Sequence, residues 1–277
     1  MIAPRYRMLA LDVDGTLLDR SGTLLPSTAA AVARAAEAGI RPILCTGRRY
    51  RRAMPVAEQL GINAPIVCNS GAIVKNPADH RTLWRADLDP ETAAVLIDLF
   101  QTHRQPIVSY TDRDPSLADF LVCPRHTNPY LVDYVDQNSG HSEYAADWTA
   151  EPLFHVCAVG PLDPMRGFQG TILAALADRV RVFVQRGARY MGVMCEVIRR
   201  DAGKWAAVLH VAEQWGIAPD EICAVGDDVN DLTMIEGAGL GVAMGHAPPE
   251  VLAVADHVTG DHDHDGVAML VEQVLLG

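Results

Sequence analysis

Four apolar runs in this chain each break off in a polar, glycine-containing turn, and that recurrence limits the fold more than any other feature. The turns are Asp12-Val13-Asp14-Gly15-Thr16, Thr46-Gly47-Arg48, Asn69-Ser70-Gly71 and Gly226-Asp227-Asp228-Val229-Asn230-Asp231. The runs before them ("MLAL", "PILC", "PIVC", "EICAV") have the uninterrupted apolar pattern of strands buried on both faces. Helical patterns separate them. One covers 26–39, with Ser27 as the expected N-cap and Gly39 as the stop; another starts at the second turn and ends before Gly61. Alternating strands and helices predict a doubly wound, Rossmann-like α/β fold around a parallel sheet. The strand ends of such a sheet share one edge, where open α/β folds bind ligands.

The alternation lapses near residue 84 and returns near Asp201. In between, Asp89 and Pro90 open a helix over 91–103, and a second helix is expected near 128–136. Gln137 to Glu151 reads as a polar loop, followed by a strand at 153–160, a helix at 164–177 and two closely spaced strands at 179–185 and 191–198. Close spacing suits antiparallel pairing. The expectation is a core in two pieces, 1–83 and 198–277, with an α+β cap domain inserted over 84–197. Past the cap, the helix over 203–216 is expected to turn Trp205, Val208, Leu209, Ala212 and Trp215 toward the core, with Asp201 as its N-cap.

Length and charge narrow the function classes. The 277 residues suit two domains or one with a large insertion, and the formal net charge of -12 speaks against a nucleic-acid partner. The one basic cluster, Arg48, Arg49, Arg51 and Arg52, opens a helix and suits a small anion. There is no run long enough to span a membrane, and the N-terminus lacks signal-peptide features, so a cytoplasmic protein without a membrane partner is expected. The six cysteines are scattered through apolar runs and read as buried thiols of a reducing compartment. The segment "DHDHDG" at 261–266 suggests zinc, but such a site needs three or four convergent ligands, and a solvated loop is the expectation.

Each motif admits a chemical and a structural reading. Asp12 and Asp14 are a carboxylate pair at a strand end, or an Asx-turn. Asp227, Asp228 and Asp231 are oxygen ligands for a hard cation, or an acidic helix start favoured by the dipole. The Thr46 hydroxyl and the Thr46 and Gly47 N–H groups can hold a phosphate, or simply cap a helix. Arg48 contacts a substrate or is solvated. Lys204 sits in the first turn of its helix, where a cation opposes the dipole, and so asks for a functional reason.

The order "DVDGT", "TGR", a lysine opening a late helix, "GDDVND" and "GVAMG" resembles the haloacid dehalogenase superfamily. Within it, the chain looks like the Cof-type phosphatases, with a large α/β cap after the third strand. The resemblance implies a phosphoric monoester hydrolase acting on a small phosphorylated metabolite. It makes Asp12 the nucleophile that becomes an aspartyl-phosphate, and Asp14 the general acid and then base. It assigns Mg²⁺ to Asp12, the Asp14 carbonyl and Asp227, with Asp228 and Asp231 outside the direct ligands. It pairs Lys204 with the nucleophile, gives Thr46, Gly47 and Asn230 to the phosphate, and makes "GVAMG" scaffold. The chain departs from the pattern twice: glycine precedes Lys204 and Trp205 follows it, and Ser70 separates Asn69 from Gly71. A phosphosugar mutase and a non-catalytic phospholigand-binding regulator are the alternatives on the same scaffold. Which cap residues select a substrate is not written in a motif; His126, Asn128, Tyr130, His141 and Tyr144 are polar candidates, and the oligomeric state is not legible.

Overall fold

The computed structural model describes residues 4–114, 116–123, 127–146, 151–186 and 190–277. The chain divides into two compact units, Met1–Trp84 with Gly203–Gly277, and Arg85–Ala202. His126 lies outside the described residues.

The first unit opens with β1 (Met8–Leu11), α1 (Pro26–Glu37), β2 (Arg41–Leu44), α2 (Tyr50–Gln59), β3 (Ile66–Cys68), β4 (Ile73–Lys75) and β5 (Thr82–Arg85). The second unit carries α3 (Pro90–Thr102), β6 (Ile107–Tyr110), β7 (Phe120–Cys123), α4 (Pro129–Asp136), β8 (Ser142–Tyr144), β9 (His155–Gly160), α5 (Leu162–Leu176), β10 (Val180–Gln185) and β11 (Val193–Arg199). The chain then returns to the first unit with α6 (Lys204–Gln214), β12 (Ile222–Gly226), α7 (Leu232–Gly237), β13 (Leu240–Ala243), α8 (Pro249–Leu252), β14 (His257–Val258) and α9 (Gly266–Leu270).

The first unit is the parallel-sheet core that the alternation predicts, with strand order β14-β13-β12-β1-β2 and every pair parallel. β1 lies inside the sheet and all four of its residues are buried, which is why "MLAL" carries no polar face. A parallel bridge from Cys45 to Val67 brings β3 alongside, and β3 then pairs antiparallel with β4. The short β4 and β5 strands fall where no strand was expected.

Three local expectations are corrected. Helix α1 begins at Pro26 with Leu25 in the N-cap position, and the Ser27 hydroxyl donates to Asp265 instead of capping. Proline at the first helical position needs no N–H partner, so the N-cap falls two residues earlier than expected. Helix α6 is capped by Gly203 at φ 148, not by Asp201, which pairs with Arg199. Its buried face is Lys204, Ala207, Val208, Val211 and Ala212, while Trp205 and Trp215 are only partly buried beside it. The true stripe is offset from the expected one because it includes the lysine that the hydrophobic count left out.

The second unit is α+β. Its six strands run in the order β10-β11-β9-β6-β7-β8, antiparallel except for the β7–β8 pair. α3 and α5 pack on the sheet through Phe100, Phe168 and Ile172, against Ile107, Val156 and Val197. The two phenylalanine rings meet edge to face at 4.9 Å. The expected loop 137–151 holds the edge strand β8; three residues with no apolar alternation leave little to read. Asn128 is taken up by structure: its Oδ1 accepts from the Tyr130 N–H and its amide donates to the Val159 carbonyl. All six cysteines are buried and stand outside any disulfide. Among the described residues no helix is long and apolar enough to cross a membrane.

Candidate active site

Asp12 follows the last residue of β1, and its N–H donates to the Val225 carbonyl of neighbouring β12. The ladder therefore extends one residue past the strand and fixes the carboxylate at the sheet edge. The residue is 5% exposed. Lys204, itself 1% exposed, donates to Asp12 Oδ1 at 2.5 Å and to Asp231 Oδ1 at 2.6 Å. The buried stripe of α6 thus carries an ammonium group inward, where two carboxylates meet it. Burial by itself lowers the Lys204 pKa; the charges of Asp12 and Asp231 outweigh it and hold the amine well above its ordinary pKa.

Asp231 is fully buried and uses its other oxygen to accept from the N–H groups of Asp227 (3.1 Å) and Asp228 (3.2 Å). Asp228 Oδ1 accepts from its neighbour Val229 at 2.7 Å. The "GDDVND" turn is therefore folded around Asp231, and Asp227 is the carboxylate it leaves pointing toward Asp12. The Asp12, Asp227 and Asp231 oxygens lie within 4.8 Å of one another. Burial raises the Asp12 pKa well above the carboxylate range, the nearby Asp231 and Asp227 charges add to it, and Lys204 opposes them. Burial likewise pushes Asp227 up to about 7, with Asp231 adding to the effect. Three carboxylates around one ammonium are short of positive charge, and all the donor atoms are oxygens. That set fits a hard divalent cation.

Two glycines make this proximity possible. Gly15 has φ 86, and a Cβ there would stand 2.2 Å from Asp227 Oδ2. A Cβ on Gly226 would stand 2.4 Å from Asp231 Cγ. A third, Gly71, lets the Asn69–Gly71 turn meet the start of α6 backbone to backbone; a Cβ there would lie 2.1 Å from the Gly203 carbonyl carbon. That turn holds the lysine-bearing helix end, despite the inserted Ser70.

The second turn differs from expectation. Thr46 and Gly47 do not open a helix, since α2 starts at Tyr50 with Arg49 in the N-cap position. The Thr46 N–H is committed to the Val67 carbonyl at 2.9 Å and cannot bind phosphate. Its buried hydroxyl accepts from the Arg48 N–H at 3.0 Å and keeps its own proton to donate. Gly47 faces the Asn230 amide: a Cβ placed on it would be 3.8 Å from Asn230 Nδ2. Asn230 Oδ1 is buried without a hydrogen-bond partner.

Asp14 points away from this group. Arg48 grips it with two hydrogen bonds, Nε to Oδ2 at 2.7 Å and Nη2 to Oδ1 at 2.6 Å, and the Asp14 side chain is 52% exposed. Arg48 is thus neither simply solvated nor free for a ligand; it is bidentate to the second aspartate of "DVDG".

Sequence reasoning passed over two residues. Thr16 is 2% exposed and its hydroxyl donates to Asp227 Oδ1 at 3.3 Å. His246 Nε2 lies 3.6 Å from Asp227 Oδ2. Thr16 belongs to "DGT" and was available to read. His246 follows a run read as scaffold, and no spacing rule links it to Asp227. The 261–266 loop is only partly solvated: the His264 side chain is 80% exposed, but that of His262 is 12% exposed.

The chain is 28% identical to the pyridoxal phosphate phosphatase YbhA of Escherichia coli, over 98% of this chain and 99% of that one. It is 26% identical to the 5-amino-6-(5-phospho-D-ribitylamino)uracil phosphatase YitU of Bacillus subtilis, over 96% of each. A solved haloacid dehalogenase-like hydrolase from Bacteroides thetaiotaomicron superposes with a TM-score of 0.79 at 25% identity, over 97% of this chain and 99% of that one. The haloacid dehalogenase-like hydrolase family matches residues 9–271; this chain, with two buried carboxylates and an ammonium gathered at the edge of its parallel sheet, belongs to that family.

Proposed function

We propose that the chain is a Mg²⁺-dependent phosphatase of a small phosphorylated metabolite, working through a phosphoryl group carried on Asp12. The single observation that supports this most is the placement of Asp12, buried at a strand end between Lys204 and Asp227. Asp12, the Asp14 carbonyl and Asp227 would hold Mg²⁺; Asp231, with one oxygen on Lys204 and the other on two N–H groups, serves the lysine. When bound, Mg²⁺ neutralises anionic oxygens, so that a carboxylate can approach a phosphate.

The chain's own groups do the rest. The Thr46 hydroxyl, the Gly47 N–H, the Asn230 amide and Lys204 orient the phosphoryl oxygens. An Asp12 oxygen attacks phosphorus and the ester P–O bond breaks. Asp14, released from Arg48, gives a proton to the departing oxygen. It then takes a proton from a water that attacks the phosphorus of phospho-Asp12, which frees inorganic phosphate and restores the carboxylate. Lys204 stabilises the charge that gathers on the equatorial oxygens.

The relatives named above suggest the first substrates to try, pyridoxal phosphate and 5-amino-6-(5-phospho-D-ribitylamino)uracil; sugar phosphates complete the panel. The test is phosphate release from such a panel, with Mg²⁺ and after chelation, plus mass spectrometry of the acid-quenched enzyme. Mg²⁺-dependent release with a phosphorylated Asp12 peptide is the expected outcome. Release that survives exhaustive chelation, or phosphate on another residue, overturns the proposal.

A further inference from the structure

Beside Asp227, on the side of His246, two imidazoles come together from separate loops. His246 follows β13, and His262 lies between β14 and α9. Their rings are 4.1 Å apart between centroids and nearly perpendicular, at 86°. His262 Nδ1 stands 2.9 Å from His246 Nε2, and the same His246 Nε2 stands 3.6 Å from Asp227 Oδ2. His262 Nε2 is buried without a hydrogen-bond partner, with Asp263 Oδ1 at 3.4 Å as its nearest acid. His264, from the same run of sequence, is bound to Asp261 and faces outward.

We propose that His246 Nε2, His262 Nδ1 and Asp227 Oδ2 form a site for a nitrogen-preferring divalent transition ion of the Zn²⁺ class, separate from the all-oxygen group but sharing Asp227 with it. Imidazole nitrogens favour Zn²⁺, Cu²⁺ and Ni²⁺, whereas Mg²⁺ keeps to oxygen, so the two sites differ in chemistry as well as place. In a tetrahedral site with ligands at about 2.0–2.1 Å, neighbouring ligand atoms stand roughly 3.3 Å apart. The two separations at His246, 2.9 and 3.6 Å, fall on either side of that value. The third edge is longer: His246, His262 and Asp227 are not mutually within 4.8 Å, as Asp12, Asp227 and Asp231 are. Closing that edge is a movement of the half-buried loop residue His262 toward Asp227, and a water completes the fourth position. An ion held there draws an oxygen of Asp227 away from the catalytic cation. Zn²⁺ therefore inhibits turnover at saturating Mg²⁺; that consequence rests on the proposed function, while binding itself does not.

The experiment is Zn²⁺ titration of the full chain by calorimetry in excess Mg²⁺, on wild type, His262→Asn and His264→Asn. Thermal melts confirm that each is folded. The site predicts one Zn²⁺ per wild-type chain that Mg²⁺ does not displace. It predicts affinity at least about tenfold weaker in His262→Asn, and His264→Asn equal to wild type. His262→Asn should keep its Mg²⁺-supported phosphate release and lose the Zn²⁺ inhibition. Wild-type Zn²⁺ affinity in His262→Asn overturns the proposal, as does Zn²⁺ that Mg²⁺ displaces in every variant, which would place the ion in the carboxylate group. No Zn²⁺ binding at all reduces the pair to an imidazole–imidazole hydrogen bond. If His262→Asn fails to fold, His246→Asn is titrated in its place, with the same expected loss of binding. None of these binding readings depends on whether the chain is a phosphatase.

Discussion

In the first unit the buried carboxylates stand past the ends of the parallel strands: Asp12 follows β1, and Asp231 lies in the turn after β12, where both reach Lys204. In the second unit they stand inside strands. His155 opens β9 and Glu196 lies within β11; their side chains, 1% and 9% exposed, pair at 3.0 Å, and Gln185 of β10 donates to Glu196 at 3.2 Å. The Tyr110 ring lies 4.5 Å from that of His155. A parallel sheet covered on both faces has no room for charge along its strands and collects it at the edge where the chain turns. An antiparallel sheet places polar groups by cross-strand neighbours, so a buried pair can form in its middle. The first arrangement gathers the carboxylates and the ammonium of the proposed site; the second sets a histidine against a glutamate inside the sheet. The predictions below test that division.

The largest effect belongs to Asp12. Asp12→Asn removes the proposed nucleophile and one partner of Lys204, and turnover should fall by more than about a thousandfold. Circular dichroism should still report a folded chain. A folded variant with near wild-type rate would mean that the strand-end cluster is structural, like the network in the second unit.

How much of this was legible follows from the same contrast. The strand-end groups were readable because each is marked by a glycine that its neighbours require, as at Gly15 and Gly226. Asp12, Asp227 and Lys204 could be picked out from order alone. The Asp14–Arg48 pair could not: both residues were singled out, but nothing in their spacing says that they bind each other instead of a ligand. Thr46 was misjudged in part because whether β3 or a phosphate takes its N–H depends on a parallel pairing between distant segments. His246 and His262, sixteen residues apart, meet through loop geometry that no periodicity encodes. In the second unit, "LFHVCAVG" and "MGVMCEVI" read as ordinary strands, each with one polar residue. That the histidine of one pairs with the glutamate of the other depends on strand register.

Lys204 comes next. Lys204→Met keeps much of the volume and loses the charge that faces the phosphoryl oxygens; kcat should drop by about 10²–10³. The variant also leaves Asp12 and Asp231 buried without their cation, a loss of roughly 3–5 kcal/mol if both stay ionised. Rates must therefore be compared below its unfolding midpoint. A stability loss with kcat unchanged would place Lys204 with His155 and Glu196, as a partner and nothing more.

The raised carboxylates give a prediction in pH. Asp227 titrates near 7 in the folded chain, against an ordinary 3.8, so the folded state binds more protons than the unfolded one across that window. Stability of the cation-free protein therefore falls as pH rises from about 4 to about 7 and levels off above. Asp12 acts in the same direction. A bound divalent cation removes the repulsion, so Mg²⁺ should raise Tm by several degrees at about pH 8 and by little at about pH 5. Equal gains at both would mean that the carboxylates are already ionised at about pH 5 and that burial does not raise them.

In the second unit, Glu196→Ala removes the acceptor of Gln185 and the partner of His155. It should lower stability by about 1–3 kcal/mol in urea unfolding and leave KM for a small aryl phosphate near wild type. A raised KM with stability unchanged would break the division between the two units, because the mid-sheet network would then contribute to the reaction.

Asp14 gives the smallest effect on one substrate and the finest test. It stands at a strand end like Asp12, yet it is exposed and its two oxygens are bound to Arg48. Placement at the edge therefore does not by itself make a residue part of the buried cluster. If Asp14 is the acid, it must leave Arg48 to reach the departing oxygen, and its value depends on how much the leaving group needs a proton. A nitrophenolate departs with little help, whereas an alkoxide needs protonation. Asp14→Asn should thus slow the phosphorylation step of an alkyl phosphate by about 10²–10³, and that of nitrophenyl phosphate by less than about tenfold. Hydrolysis of phospho-Asp12 should slow for both, because the base that activates water is gone, so a burst of nitrophenol should precede the steady state. Arg48→Ala separates the two partners of the pair: it frees Asp14 without removing it, and should preserve the alkyl-to-aryl rate ratio of wild type. Single-turnover kinetics on both substrates decide the matter. Equal slowing of phosphorylation for both would assign Asp14 to the cation through its backbone carbonyl alone, and its side chain would then belong to Arg48.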